Sequence, residues 1–314
     1  MIVNPLSYSA ARGLASKAAG VARAHGAEVV VVNSLATLNA AVESILLRRQ
    51  RQVIVLAGDG TVQAIVDQLA SQAAGSWMPD LLVLPGGRSN LTSIDLVPGG
   101  RALATLELAL KRASEQRWDE AVVERATLRN EQSPAAPRHG FFVAAALVDS
   151  VIRWCHQQRA DEGGAVHAGA LSTVWCLLKL SALALVGRTG LSCPPLRIDT
   201  DACGRMSEPT RVLLATTLLH RTGLFNPYAP RGKGALRLTA VALRAPRFWR
   251  SLPRLLTQKF SKSMDLDNGY LSGACERIQI TGLHGYSLDG EEFDADPLRP
   301  VTITLGPRMR FLSL

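Results

Sequence analysis

Gly58, Asp59, Gly60 and Thr61 form the stretch of this chain whose residue types and spacing best suit phosphate chemistry. They sit inside residues 53–69, VIVLAGDGTVQAIVDQL. Val53 to Leu56 are consecutive, apolar and mostly β-branched, the pattern of a buried strand. Residues 57–60 turn the chain, and Thr61 is placed to cap a helix whose apolar face is Val62, Ile65, Val66 and Leu69. A strand, a glycine turn and a helix start leave backbone N–H groups beside the positive end of a helix dipole, which favours an anion. An ordinary βα turn carries the same glycines for backbone reasons alone, so the loop by itself leaves both readings open. Asp59 tilts the balance. A carboxylate repels a bare phosphate and belongs more naturally beside a metal ion or a hydroxyl.

The elements that must position this loop read as a parallel α/β domain. Residues 1–4 start the chain in a strand that Pro5 ends, and residues 28–32 give a second strand. A helix over residues 35–49 follows, with Leu38, Val42, Ile45 and Leu46 on one face. Residues 80–84 are a fourth strand, broken by Pro85-Gly86-Gly87, and Leu103, Leu106 and Leu110 mark the next helix. Strands alternating with helices imply a doubly wound sheet. Ligands of such sheets sit in loops at the C-terminal strand ends, here residues 4–9, 57–61 and 85–90. From Trp118 the pattern changes to short β-rich runs at 121–128, 141–146, 196–200, 211–219, 235–243, 277–281 and 301–305, separated by Pro- and Gly-rich turns. That is the pattern of an antiparallel sheet or sandwich. The predicted domains are therefore 1–117, α/β and doubly wound, and 118–314, β-rich and sandwich-like; whether the last strands return to the first domain stays open. Residues 131–138, EQSPAAPR, read as a surface hairpin loop.

Bulk properties narrow the partners. The 35 Lys+Arg against 26 Asp+Glu, a net charge of +9, favours anionic ones: nucleotide, nucleic acid or an acidic membrane surface. Only 5% of residues are aromatic and none interleave with a basic stripe, which disfavours nucleic acid. The cysteines at 155, 176, 193, 203 and 275 include no CxxC pair and read as free thiols in a reducing cytosol. The opening MIVNPLSYSA turns polar too early for a signal peptide. Residues 168–187 approach membrane-spanning length, but Lys179 near the middle would cost roughly 2.5–3.5 kcal/mol, so a buried or interfacial helix is expected.

No HExxH, nucleophile elbow, metal-spaced Cys/His set or Walker phosphate loop is present, and the six histidines are scattered. What remains is NPLSYSA from Asn4, AGDGTVQAIV from Ala57, LPGGRSNL from Leu84 and SLDGEEF from Ser287, in that order. Together these resemble the diacylglycerol kinases, and more broadly the bacterial lipid kinase family related to sphingosine kinases and NAD kinases. GDGT is shared across that superfamily; its combination with the NP loop and the late DGE is more specific. The resemblance covers essentially the whole chain. It implies an ATP-binding first domain, a β-rich second domain that accommodates lipid, and catalysis in the cleft between them. It further implies that Asn4, Ser7, Gly58, Asp59, Gly60, Thr61 and Gln63 serve the nucleotide, with Gly87 and Asn90 in a second phosphate loop. Asp289 and Glu291 match the catalytic acidic pair, one of them removing the proton from a lipid hydroxyl. Asp119 matches an acidic position that would join Asp59 in a Mg²⁺–water network. Phosphoryl transfer requires such positioning, charge neutralisation and a base. Without the other motifs, Asp289-Gly290 is simply a hairpin turn and Asp119 a surface charge.

The chain also departs from the family pattern. Ala57 replaces the first glycine of GGDGT, and Gln63 stands where Asn is usual. GTxND becomes Gly87-Arg88-Ser89-Asn90-Leu91, placing Leu91, which cannot hold a metal, where a carboxylate is expected. Arg231-Gly232-Lys233-Gly234 replaces an Asp-Gly element that binds a structural metal in some members, and Ala144 to Ala146 replace glycines. Independently of the resemblance, Arg244, Arg247, Arg250 and Arg254 fall at helical spacing among Phe248, Trp249, Leu252, Leu255, Leu256 and Phe260. Such a stretch suits an anionic membrane, with Pro253 dividing it into two short helices; a basic helix packed on the core is the alternative. The expectation is an ATP- and Mg²⁺-dependent kinase acting on diacylglycerol or a related lipid in phospholipid metabolism. It would be cytoplasmic and peripheral to the membrane, with no nucleic acid partner, and a homodimer is compatible with it. An NAD kinase-like enzyme and a catalytically impaired lipid- or nucleotide-binding protein are the alternatives.

Overall fold

The computed structural model describes residues 1–72, 77–87, 90–96, 101–150, 152–153, 193, 195–219 and 226–314. They form two compact units, Met1–Thr127 with Pro307–Leu314, and the residues between Leu128 and Gly306. The expected helix over 168–187 lies outside the described residues.

The first unit alternates strand and helix: β1 (Ile2–Val3), α1 (Leu14–Ala24), β2 (Val30–Val31), α2 (Leu35–Leu47), β3 (Gln52–Ala57), α3 (Asp59–Gln72), β4 (Asp80–Pro85), α4 (Leu91–Leu96) and α5 (Ala102–Ser114). The sheet order is β2-β1-β3-β4, all parallel. β1 and β2 are two residues each, shorter than their apolar runs. β3 buries Val53 to Ala57 completely, as a strand covered on both faces must. α1 buries Ala15, Ala18, Ala19 and Ala22, a stripe of small side chains that lets it lie close to its neighbours. α2 starts at a capping box in which Thr37 N–H donates to Ser34 Oγ at 3.2 Å and Ser34 N–H to Thr37 Oγ1 at 3.1 Å.

This unit runs past Arg117 to Thr127, because Trp118, in a 3₁₀ turn over Trp118–Ala121, is buried in its core with Leu56, Leu84 and Leu106. The chain's last residues also belong to it. In β15 (Val301–Leu312), Arg310 and Phe311 pair in parallel with Asp80 and Leu81 of β4, and Leu312 joins the core. The buried Asp80 carboxylate accepts from Arg310 Nε at 2.6 Å.

β5 (Val122–Glu131) carries the chain into the second unit, which is built from antiparallel strands: β6 (Arg138–Gly140), β7 (Phe142–Ala146), β8 (Pro195–Thr200), β9 (Arg205–Thr216), β10 (Leu236–Ala242), β11 (Tyr270–Cys275), β12 (Arg277–Thr281), β13 (Gly285–Leu288) and β14 (Glu291–Asp294). β5 and β6 form the hairpin expected around residues 131–138. β9 organises the unit. Its first half pairs with β8 and its second with β7 and β10, the change falling at Pro209 and Thr210, where proline cannot donate to a continuing ladder. β11, β13 and β14 were not anticipated, since Gly, Ser and charged residues dilute their apolar pattern. Where the sequence has Arg231, its guanidinium donates to backbone carbonyls: Nε to Ser272 O at 2.7 Å and Nη2 to Met264 O at 3.4 Å.

The basic stretch near residue 250 is one helix, α6 (Phe248–Leu256), with Pro253 inside it rather than a break. Phe248 and Leu255 are buried against Val241, Met264 and Tyr270, so these apolar residues are committed to the core. Arg247, Arg250 and Arg254 remain exposed.

Candidate active site

In the first unit the loops after β1, β3 and β4 meet at the C-terminal edge of the sheet. Asn4 is the main brace. Its N–H donates to Leu56 O at 3.0 Å, its Nδ2 donates to Thr61 Oγ1 at 2.8 Å, and its Oδ1 accepts from Leu6 N–H at 2.9 Å. With both ends of its amide engaged, Asn4 ties the first loop to the first turn of α3. Ser7 acts similarly, its Oγ accepting from Gly58 N–H at 3.0 Å. The helix begins at Asp59, and its first backbone bond runs from Val62 N–H to Gly58 O at 3.1 Å. Thr61 therefore sits inside the first turn and receives Asn4, instead of capping the helix as expected. Backbone N–H groups of that turn have no intrahelical acceptor, and Asp59 and Gly60 carry them at the positive end of the dipole.

The third loop closes on itself around Asn90. Gly87 N–H donates to Asn90 Oδ1 at 2.8 Å while Asn90 Nδ2 donates to Gly87 O at 3.0 Å. Asn90 takes φ 51°, a left-handed conformation that Asn tolerates better than most residues, and its carbonyl accepts from Ile94 N–H to start α4. Gly58 and Gly87 lie backbone against backbone: a Cβ on Gly87 would stand 2.6 Å from Gly58 Cα. A Cβ on Gly86 would stand 2.8 Å from the Ala57 nitrogen. The glycines are required by loop-to-loop approach, a constraint that a turn between one strand and one helix would not impose.

Of two further expected members, one is buried within α3 and one falls elsewhere. Gln63 is buried, 5% exposed, within α3. Asp119 is exposed and accepts from Arg51 Nη2 at 2.6 Å. Arg51 precedes β3 and Asp59 follows it, so the two carboxylates lie at opposite ends of that strand, roughly 20 Å apart at ~3.3 Å per residue. Asp119 instead joins the Arg51–Asp80–Arg310 ion pairs beside a cavity of about 400 Å³. A direct role beside Asp59 is thus corrected. Asp119→Asn is expected to leave nucleotide affinity unchanged and to lower stability by only about 0.2–1 kcal/mol, as for an exposed pair; nucleotide titration and thermal melting check both. Among the described residues no cluster of three or more His, Cys, Asp or Glu side chains can hold a metal. Asp59 at the helix start fits Mg²⁺ only in the manner of sites that complete their shell with phosphates and water. The site also contains a pair that sequence reading passed over: Asp95 of α4, 3% exposed, lies 3.6 Å from Arg125 Nε. Its only signal was a carboxylate between Ile94 and Leu96.

In the second unit Asp289 and Gly290 form the two-residue turn between β13 and β14, with φ 51° and 91°. Asp289 is 6% exposed, and its carboxylate accepts from Phe141 N–H at 2.9 Å and Phe142 N–H at 2.8 Å. Phe141 lies between β6 and β7, where the strand pairing lapses, and Phe142 opens β7. Gly140 makes the room; a Cβ there would reach within 2.5 Å of Asp289 Oδ2. Ser287 Oγ donates to Asp149 Oδ1 at 2.6 Å, and Arg153 Nε donates to Asp149 Oδ2 at 2.8 Å, anchoring the hairpin further. Glu291 follows the turn, exposed, with no described residue engaging its carboxylate. One acid of the pair is bound into the fold, and its neighbour is presented on a rigid hairpin.

A parallel α/β unit with glycine loops interlocked at a helix start is a framework suited to holding an anion. The diacylglycerol kinase catalytic domain family provides the match: its model covers residues 1–121, the segment that holds all three loops. A diacylglycerol kinase structure from Bacillus anthracis str. Sterne shares the fold, with TM-score 0.63 and 16% identity over 100% of this chain and 95% of that one. Two further structures from that organism, at 14% and 15% identity and TM-score 0.64, cover 96% and 95% of their own chains and all of this one. No curated protein sequence matches the chain.

Proposed function

We propose that this protein is an ATP- and Mg²⁺-dependent lipid kinase that transfers the γ-phosphate to a hydroxyl of diacylglycerol or a close relative. The observation that carries this reading is the interlock of Gly58 and Gly87 beside the N-terminus of α3. The Gly58 and Gly87 N–H groups are spent on Ser7 and Asn90, so the interlock fixes the loops around the first turn of α3, whose N–H groups have no intrahelical acceptor and can take phosphate oxygens. Gly58, Gly60 and Gly87 line this phosphate cradle, Asn4, Ser7 and Asn90 hold its shape, and Asp59, at the start of α3, is the carboxylate that would hold Mg²⁺. Bound with ATP, Mg²⁺ would neutralise charge on the phosphates. Glu291 is the general base for the acceptor hydroxyl, and Asp289 is a positioning residue that fixes the turn presenting it. The exposed Arg247, Arg250 and Arg254 of α6 favour an anionic bilayer through charge alone, since the helix's apolar side is spent on the core. Among the described residues no helix is long and apolar enough to cross a membrane.

A second reading has its own support. With Leu91 opening α4 and Asp119 at the far end of β3, Asp59 stands without the second carboxylate expected of the loop region. A nucleotide- or lipid-binding protein with weakened transfer would look the same. The deciding experiment incubates the chain with γ-labelled ATP, Mg²⁺ and a total lipid extract in anionic vesicles. Label on a glycerolipid hydroxyl is expected. Nucleotide binding without labelled lipid selects the second reading, and label on added NAD instead of lipid overturns both.

A further inference from the structure

The cavity of about 400 Å³ in the first unit lies at the end of the sheet away from the glycine loops. Three arginines reach it, from β15 and from the approach to β3. Asp80, which opens β4, gathers two of them. Arg310 Nε donates to Asp80 Oδ1 at 2.6 Å, and Arg51 Nε stands 3.7 Å from Asp80 Oδ2. Arg51 also donates from Nη2 to Asp119 Oδ1 at 2.6 Å, and its carbonyl accepts from Asp80 N–H at 2.7 Å. The third, Arg308, stands two residues before Arg310 in β15 and shares its face, while Met309 and Phe311 are buried. Because Arg310 pairs with Asp80, Arg308 comes level with Met78, and Trp77 and Met78 supply an apolar wall.

The carboxylates hold these guanidiniums in place without using them up. Arg51 Nη1, both terminal nitrogens of Arg310, and Nε and Nη2 of Arg308 make no hydrogen bond to any described residue. Arg308 Nη1 lies 3.6 Å from Glu124 Oε2, too far for a hydrogen bond. Asp80 is 1% exposed, so its charge is committed to the arginines around it. Three arginines against Asp80 and Glu124 leave the lining net positive. Guanidiniums already fixed on the scaffold spare a ligand part of the ordering cost. Planar forks with unused N–H groups match the oxygens of a phosphate, and an indole beside them offers a surface for a ring.

We propose that this cavity is a second anion site, which takes a small organic phosphate carrying an aromatic group. Arg308 and Arg310 hold the phosphate oxygens, and Trp77 and Met78 cover the ring. Arg51, pinned by Asp80 and Asp119, closes the third side. The volume falls among those of small-molecule sites. Binding here does not depend on the kinase reading, because the length of β3, roughly 20 Å at ~3.3 Å per residue, separates Arg51 from the phosphate cradle.

Calorimetric titration of the full-length protein with phenyl phosphate tests this, with inorganic phosphate and phenol as its separate halves. Phenyl phosphate is expected to bind saturably and at least tenfold more tightly than either half. Arg308→Gln should weaken it at least tenfold with an unchanged melting temperature, since Arg308 is 73% exposed and its ion pair is long. Trp77→Ser should shrink the advantage over inorganic phosphate severalfold. Gly87→Ala, titrated at a temperature where melting shows it folded, should bind phenyl phosphate as the parent does. Absence of saturable binding, or equal affinity in Arg308→Gln and the parent, would overturn the site. So would loss of binding in folded Gly87→Ala, which would place the anion in the cradle instead. Failure of the lipid-labelling reaction with this pattern intact would strike the kinase reading and leave the second site standing.

Discussion

Glu291→Gln is expected to lower lipid-dependent phosphoryl transfer by roughly 10²–10⁴-fold, the range for removing a general base, with nucleotide affinity and melting temperature nearly unchanged. The amide keeps the size of the side chain and loses the ability to take a proton. Because Glu291 is exposed and no described residue engages it, stability should stay within about 0.5 kcal/mol of the parent. Asp289→Asn should behave differently. Both Asp289 oxygens accept backbone N–H groups, and an amide offers only one acceptor oxygen. One donor at Phe141 or Phe142 is left facing an NH₂ group in a buried place, at a cost of about 1–3 kcal/mol. Turnover should fall with stability in that variant and without it in Glu291→Gln. Kinetics paired with thermal melting separates base from brace. Wild-type turnover in Glu291→Gln would remove Glu291 from the mechanism, and an unchanged melting temperature in Asp289→Asn would remove the bracing role.

Gly87→Ala is expected to weaken nucleotide binding at least tenfold and to cost about 1–3 kcal/mol of stability, as overpacking in a rigid site does. The new Cβ would stand 2.6 Å from Gly58 Cα and 3.3 Å from Asn90 Oδ1. The first neighbour is backbone and cannot rotate away, so the second and third loops must separate, and the cradle with them. Gly20→Ala supplies the contrast. Gly20 lies within α1, and an added methyl group there would find nothing within 4 Å. That change should stabilise the protein by about 0.5–1 kcal/mol and leave binding alone. Equal nucleotide affinity in Gly87→Ala and the parent would show that the loops do not form the phosphate cradle.

The alternation of strand and helix up to residue 114, the glycine turn at 58–60 and the β-rich second part could all be read from the chain, because each rests on local spacing. A run such as Val53 to Leu56 or the Val62, Ile65, Val66, Leu69 stripe reports which face of its own element is buried. It does not report what that face meets. Asn4 on Thr61, Ser7 on Gly58 and Gly87 against Gly58 are contacts across 57, 51 and 29 residues, set by the order of strands in the sheet. The same dependence moved Asp119 away from Asp59: the turn around Trp118 delivers it to the N-terminal end of β3, where Arg51 takes it up. Asp289 and Glu291, two residues apart and chemically alike, are divided into anchor and exposed acid only by the lapse in strand pairing at Phe141. The apolar residues around residue 250 were fit for a membrane by composition and are spent in the core by packing. Local patterns settled most of the elements and the glycine turn; long-range packing assigned each side chain its partner.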